Sequence, residues 1–410
     1  MCVRGVVIAF SKIFFLFKFD KMYKITKEQL LLDLYVAYFK AVKHKKSKKK
    51  IKDFNSNVKE NLLALCNELY ERKYTPQPSN VFIITDPKKR EVFAAAFRDR
   101  IVHHLYYEYT HELFEKTFIH DSYSCIKGKG THFGIKRLEH HIKSCSLNYI
   151  LPTYILKMDL KGYFIHINRN ILLNIVKNTL DSMRYHRINK ESNELYDDII
   201  DFEFVDYLTH IIVLLDPTEH CNIRSPKRDW NDLPSSKSLF KAGKERGLPI
   251  GNLTSQLFSN VYLNRLDQFV KRELKCKHYG RYVDDFYIVH NSKAYLHSII
   301  PKIEAFVNNE LDLEIQKGKT IITSANQGVE FLGTYIKPHR TYVSNQCIRR
   351  IKRKLPKAKY KPNIENTINS YLGVFSHFNS NKVKCQLFNN YKWINERGKF
   401  NENMTKFSTQ

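Results

Sequence analysis

Tyr282-Val283-Asp284-Asp285-Phe286-Tyr287, at positions 282–287, sets two neighbouring carboxylates between aromatic and β-branched residues. That is the pattern of a β-hairpin with buried arms and a charged tip. Adjacent aspartates repel one another, and tight turns ordinarily use Asp-Gly or Asn-Gly instead. A cation at the tip would offset the repulsion. An isolated Asp-Asp pair is more often a solvated turn, so the rest of the chain has to decide.

A second stretch sharpens the reading. Residues 155–159, ILKMD, form an apolar strand that ends in Asp159, and Phe164 follows five positions later. Nucleotidyl transfer on two Mg²⁺ ions draws carboxylates from at least two elements, with the metals roughly 3.5–4 Å apart. In that scheme Asp159 bridges both ions, Asp284 joins it and Asp285 assists from the next position. One ion lowers the pKa of a primer 3′-hydroxyl; the other neutralises charge on the triphosphate and its leaving group. Phe164 would lie beneath the incoming sugar, where a bulky ring blocks a 2′-hydroxyl; the alternative is a core aromatic.

Between these stretches runs Gly247-Leu248-Pro249-Ile250-Gly251-Asn252-Leu253-Thr254-Ser255-Gln256. Two glycines around a proline allow a tight, closely approachable backbone, and an amphipathic helix follows. Such a loop could carry the template–nucleotide pair, or be an ordinary helix entry. Upstream, Lys88, Lys89, Arg90, Arg98 and Arg100 supply cations for a triphosphate and a template backbone. Downstream, Lys319 in Lys317-Gly318-Lys319-Thr320 is a candidate general acid for pyrophosphate, or a surface lysine with no role. Glu330-Phe331-Leu332-Gly333 opens a strand that could grip a primer end.

Composition agrees with a polyanionic partner. Sixty-eight Lys and Arg against forty-one Asp and Glu leave a formal charge of +27 on 410 residues. A hydrophobic content of 43% argues for a folded chain. Eight scattered cysteines with no CxxC pair argue against a zinc cage or a disulfide scaffold and for free thiols. Residues 1–19 are apolar but broken by Lys12, so translation is expected to start near Met22, with residues 1–21 a misannotated extension. No other segment approaches membrane-spanning length.

Thr26 and Gln29 read as a capping box for a first helix, and residues 58–73 as a second, with the basic run 43–52 between them as linker or phosphate contact. A strand is expected at 81–84, a basic turn running into a helix over 88–104, and a polar, irregular insertion over 186–243. Then come helices at 257–274 and 295–310, the hairpin at 279–290, a strand at 330–337 and a basic helical C-terminus.

The order Asp159-x4-aromatic, Pro-x-Gly loop, YVDD resembles motifs A, B and C of reverse transcriptases over residues 80–375. More narrowly the chain resembles the reverse transcriptases of diversity-generating retroelements, within the wider group II intron and retron-like bacterial enzymes. The stretches FRDRIVHHLYYEY (97–109), DSYSCIKGKGTH (121–132), DWNDLPSSKSLF (229–240), GLPIGNLTSQLFSNVYLN (247–264), FLGTYIKPHRTYVSN (331–345) and SYLGVFSHFN (370–379) carry the likeness. The resemblance implies an α+β right-hand fold with a ferredoxin-like palm sheet. Its parts would be an N-terminal helical region 22–79, fingers 80–150, palm 151–335 with the insertion, and a thumb with basic C-terminus 336–410.

It also implies Asp159, Leu160, Asp284 and Asp285 as the metal-holding set, and Arg90 on the triphosphate. Lys88, Arg100, Phe164, Ile250, Gly251 and Lys319 would surround a deoxynucleotide. Two Mg²⁺ ions (Mn²⁺ in vitro), template RNA, an RNA–cDNA heteroduplex, a small basic accessory protein and a bacterial or phage-encoded cytoplasmic setting follow from the same likeness. One departure stands out: Ile250 occupies the place of the usual glutamine in Pro-Gln-Gly, removing an amide that can hydrogen-bond the nucleotide. That fits copying that misreads template adenines. An antiphage-defence reverse transcriptase is the nearest alternative. Phe164 argues against an RNA-making polymerase, and the three aspartates against a non-catalytic binder.

Overall fold

The run Phe286-Tyr287-Ile288-Val289 has no polar position, so the strand that holds it needs cover on both faces. The computed structural model, which describes residues 23–43, 49–86, 88–188, 191, 193–360 and 363–409, supplies that cover. In chain order the strands are β1 (Ser79–Ile84), β2 (Arg90–Ala94), β3 (Tyr154–Asp159), β4 (Cys221–Ile223), β5 (His278–Tyr282), β6 (Asp285–His290), β7 (Ile321–Ser324), β8 (Val329–Phe331), β9 (Thr334–Lys337), β10 (Arg340–Val343), β11 (Gly398–Phe400) and β12 (Phe407–Thr409). The central sheet has the order β5-β6-β3-β7 with every pair antiparallel. Helices intervene between β3 and β5 and between β6 and β7, which is the β-α-β-β-α-β arrangement.

On one face, Ile155, Tyr287 and Val289 share a core with Ile135, Leu138 and Ile142 of helix Thr131–Cys145. The alternate positions Leu156, Met158, Phe286 and Ile288 are buried too. Helix Lys293–Leu311 packs on β6 and on helix Leu253–Gln268. That last helix continues into a π-helical turn, Phe269–Glu273, in place of the single α-helix over 257–274 expected from the sequence.

The chain divides into two compact units. The first combines the described residues up to Gln77 with Phe97–Leu113 and Lys177–Ile212. Its core holds Leu30 and Leu34 of helix Lys27–Val42, Leu62, Leu65 and Leu69 of helix Val58–Tyr70, and Phe204, Val205 and Leu208 of helix Phe202–Leu214. The last helix corrects the reading of 186–243 as irregular throughout: Phe204-Val205-Leu208 has helical apolar spacing, and only the segment beyond it is polar and proline-rich. Thr26 accepts a hydrogen bond from Gln29 N at 3.2 Å, but the Gln29 side chain turns to Asp33 at 2.9 Å, so only half of the capping box forms. The expectations for residues 1–21, and for 44–48 of the basic run, lie outside the described residues.

The second unit holds everything else, including the central sheet. Arg90–Ala94 is a strand antiparallel to β1 where a turn into a helix was expected; Val92 and Phe93 favour extended backbone, and the helix begins at Phe97. The expected strand over 330–337 is two, β8 and β9, because Leu332 and Gly333 both have left-handed backbones (φ 49° and 82°). The C-terminal helices bury Ile351, Leu355, Ile368, Leu372, Leu387 and Phe388 together, and the hairpin β11–β12 joins them. None of the seven described cysteines is bonded to another. Among the described residues no helix is long and apolar enough to cross a membrane.

One buried carboxylate fastens the segment after β4. Glu91, 2% exposed on β2, accepts from Trp230 Nε1 at 2.6 Å and Ser238 Oγ at 2.9 Å, and also from the Leu239 backbone N–H. Glu91→Ala leaves three donors without an acceptor. We expect a loss of about 3 kcal/mol in denaturant unfolding and faster limited proteolysis within 226–241. Wild-type stability and an unchanged cleavage pattern would remove Glu91 from this role.

Candidate active site

Strand register assembles the acidic group. β3 and β6 pair so that Asp159 stands directly opposite Asp285, one carboxylate from each strand. Tyr282 pairs with Asp285 across β5 and β6, which leaves Val283 and Asp284 as a two-residue turn. Val283 sits at φ 56°. A β-branched residue there is strained by roughly 1–3 kcal/mol, and such strain gathers at functional sites. The turn thus lifts Asp284 beside the Asp159–Asp285 pair.

The electrostatics show how crowded the three are. Burial, and then the Asp159 charge, raise the Asp284 carboxyl above the usual range, while Lys319 and Arg90 pull it back. Burial pushes Asp285 up to about 6 against the pull of Lys157, with Asp159 and Asp284 adding to the rise. Lys319 Nζ binds Asp159 Oδ2 at 2.6 Å, and Lys157 Nζ lies 3.1 Å from Asp285 Oδ2. The other oxygen of Asp285 is buried without a hydrogen-bond partner. Lys157 was not singled out in the sequence, although a lysine inside the apolar run ILKMD was its signal.

Leu160 is buried, and as a leucine it can offer a cation only its backbone carbonyl. Its bridge to Ile315 is made by neighbouring bonds, Lys161 N to Glu314 O and Gln316 N to Asp159 O at 2.9 and 2.8 Å. An all-oxygen donor set with an unsatisfied buried oxygen fits a hard divalent cation. In this structure lysines neutralise two of the carboxylates. Among the described residues no three acidic, histidine or cysteine side chains converge as a finished metal cage.

The remaining predicted residues fall into two groups. Phe164, half-buried on the short helix Tyr163–His166, is stitched to the glycine–proline loop: its carbonyl accepts from Leu248 N at 2.7 Å. The Ile250 carbonyl accepts from Phe93 N of β2 at 3.0 Å, and Asn252 Oδ1 accepts from Ala95 N at 3.2 Å. Gly251 has φ 127°, and a Cβ there would lie 3.0 Å from Val92 Cγ1 and 3.1 Å from the Phe93 carbonyl. Glycine is required for that close approach.

Arg90 opens β2 with an exposed side chain, and its charge reaches Asp284. Lys88 is exposed, whereas the Lys89 ammonium donates to the Asn231 carbonyl. Arg98 and Arg100 belong to the first compact unit. There Arg98 forks onto Glu68 at 2.8 and 2.6 Å, and burial lowers the pKa of Arg100.

Comparison with known proteins bears on the same residues. Residues 214–336 match the family described as reverse transcriptase (RNA-dependent DNA polymerase), a span that takes in the Gly251 loop, the Asp284–Asp285 turn and Lys319 but not Asp159. Protein YkfC of Escherichia coli (strain K12) is 24% identical over 309 residues, covering 66% of this chain and 70% of its own. Among solved structures, apo telomerase from Candida tropicalis truncated from its C-terminal domain is 11% identical with a TM-score of 0.44, covering 65% of this chain and 55% of its own. Telomerase from Candida albicans in complex with a fragment of telomeric RNA is 12% identical with a TM-score of 0.42, covering 78% and 56%. The chain thus spans little more than half the length of these telomerase chains.

The raised Asp285 carboxyl makes a pH prediction. The folded protein holds that proton more tightly than the unfolded chain, so its ionisation opposes folding. The penalty is complete above pH about 6 and absent below the ordinary carboxylate value near ~4. In metal-free buffer, Asp285→Asn should stabilise the protein by on the order of 1–3 kcal/mol at pH 8, with the gain fading by pH ~4. Denaturant melts at both pH values check this; a variant less stable than wild type at pH 8 would contradict it. Residues 214–336, which hold the Asp284–Asp285 carboxylates and the Gly251 loop, thus match a reverse transcriptase domain.

Proposed function

We propose that the chain copies RNA into DNA by two-metal nucleotidyl transfer, with Asp159, Asp284 and Asp285 as the metal-holding carboxylates. The observation that carries the reading is the β3–β6 register, which sets Asp159 against Asp285 at the base of the Asp284 turn. Bound divalent ions would supply Lewis-acid activation of the primer hydroxyl and neutralisation of the triphosphate. The chain's own residues do the rest. Arg90 and Lys88 hold the triphosphate by charge, in keeping with the reach of Arg90 to Asp284. Lys319, tethered on Asp159, is placed to donate a proton to leaving pyrophosphate. The Phe164 ring, fixed through its backbone to Leu248, forms the floor under the sugar and excludes a 2′-hydroxyl.

Right-hand subdomains follow from this assignment. β1 and β2 belong to the fingers, the β5-β6-β3-β7 sheet is the palm, and the helices from Asn345 onward form the thumb. A net charge of +27 supports an RNA template and an RNA–cDNA product. The expected setting is a retroelement that diversifies sequence by misreading template adenines. Ile250 supports it, because that side chain has no amide to hold the nucleotide.

Primer extension on an RNA template with dNTPs and Mg²⁺ tests the activity. Asp284→Asn and Asp159→Asn should each lower kcat at least ~10³-fold while the proteins stay folded by circular dichroism. Extension at the wild-type rate by either variant would end the two-metal reading. Ile250→Gln should lower misincorporation opposite template adenine by several-fold without a matching fall at other bases. Sequencing the cDNA decides it, and an unchanged error spectrum would disconnect Ile250 from fidelity.

A further inference from the structure

The Val283–Asp284 turn adopts a backbone that its own sequence disfavours, so something else must hold it. The guanidinium two residues earlier does so. Arg281 is completely buried and faces an equally buried Asp267 from helix Leu253–Gln268. Its Nε donates to Asp267 Oδ1 at 2.7 Å and Nη2 donates to Oδ2 at 2.6 Å. Tyr279 Oη adds a third bond to that carboxylate, also at 2.6 Å.

The other guanidinium hydrogens leave the pair. Nη1 donates to the Val283 carbonyl at 3.0 Å and to Asn260 Oδ1 at 3.3 Å, and Nη2 also reaches Ser122 Oγ at 3.3 Å. All five donors of the fork are therefore used. A pair serving only to neutralise Asp267 would need two of them. The backbone of Arg281 is pinned as well, with its N–H on the Asp121 carbonyl at 2.9 Å and its own carbonyl on Tyr123 N at 3.0 Å.

We propose that Arg281, held by Asp267, is a positioning residue: through the Val283 carbonyl it fixes the left-handed turn that presents Asp284 to the metals. It rests on the reading of Asp159, Asp284 and Asp285 as metal ligands and adds the group that sets their geometry. The planar fork does what an ammonium cannot, spanning a carboxylate and a turn carbonyl at once.

Two variants of the full chain test it. Arg281→Lys keeps a charge against Asp267 but cannot span to the Val283 carbonyl as well. Arg281→Met combined with Asp267→Leu removes the buried ion pair altogether, a change that folded proteins tolerate. Mn²⁺ binding without nucleotide, measured calorimetrically, should weaken about 10- to 100-fold in both variants. In primer extension kcat should fall by a similar factor while KM for dNTP moves less than about 3-fold. The double variant should melt within a few degrees of wild type.

A folded variant with wild-type Mn²⁺ affinity and kcat overturns the proposal. Loss of folding in both assigns the pair to stability alone and overturns it too. Wild-type protein whose Mn²⁺ binding depends on Asp159 but which extends no primer would sink the polymerase reading while leaving the positioning role measurable.

Discussion

Like charges held close in a buried setting repel strongly, and this chain gathers three of them on purpose. The sheet leaves no choice: once β3 and β6 pair through the apolar run Phe286–Val289, a slip of one residue would turn every buried side chain to the wrong face. The register is thus fixed by apolar packing along the two strands, and that packing forces Asp159 against Asp285. The lysines at 157 and 319 neutralise part of the charge, while burial, with the neighbouring carboxylates adding to it, still holds the Asp284 and Asp285 carboxyls above the usual range. A site that is electrostatically unfinished on its own is the natural partner of a divalent cation.

Beyond the two lysines, the surroundings are organised to keep that group in place. The glycine–proline loop meets β2 through backbone bonds at Ile250 and through the close approach at Gly251, and meets the Phe164 turn through Leu248. Because the Leu248 and Ile250 links run through the main chain, the Ile250 side chain can vary in chemistry without breaking them, whereas Gly251 and the Asn252 side chain cannot. The Ile250 carbonyl does the structural task, which leaves its side chain out of the loop's backbone links.

Much of this was legible in the sequence, and the failures have physical causes. The Asp-Asp turn and its buried arms followed from the alternation of acidic tip and apolar flanks, and β3 from an apolar run ending in Asp159. Helix Phe202–Leu214 was hidden by prolines and polar residues after it, which drew attention from a plain helical stripe. β2 was misread because Lys88, Lys89 and Arg90 look like an exposed turn, and only pairing with β1 makes the following residues a strand. Arg281 and Asp267 could not be found from spacing at all. A buried ion pair between a strand and a helix is a property of the folded state, and in sequence each member is one charge among several near it.

The first compact unit is assembled from three separated stretches of chain, with the last ending at Ile212. Protein synthesis delivers these pieces in order, so the helices near the N-terminus emerge long before the residues that complete their core. Phe204, Val205 and Leu208 must leave the ribosome before that core can close. Helices Lys27–Val42 and Val58–Tyr70 pack on each other and can pair as soon as both have emerged, but the Phe202–Leu214 part of the core is added later. The nascent chain therefore passes through an interval in which this core is only partly built.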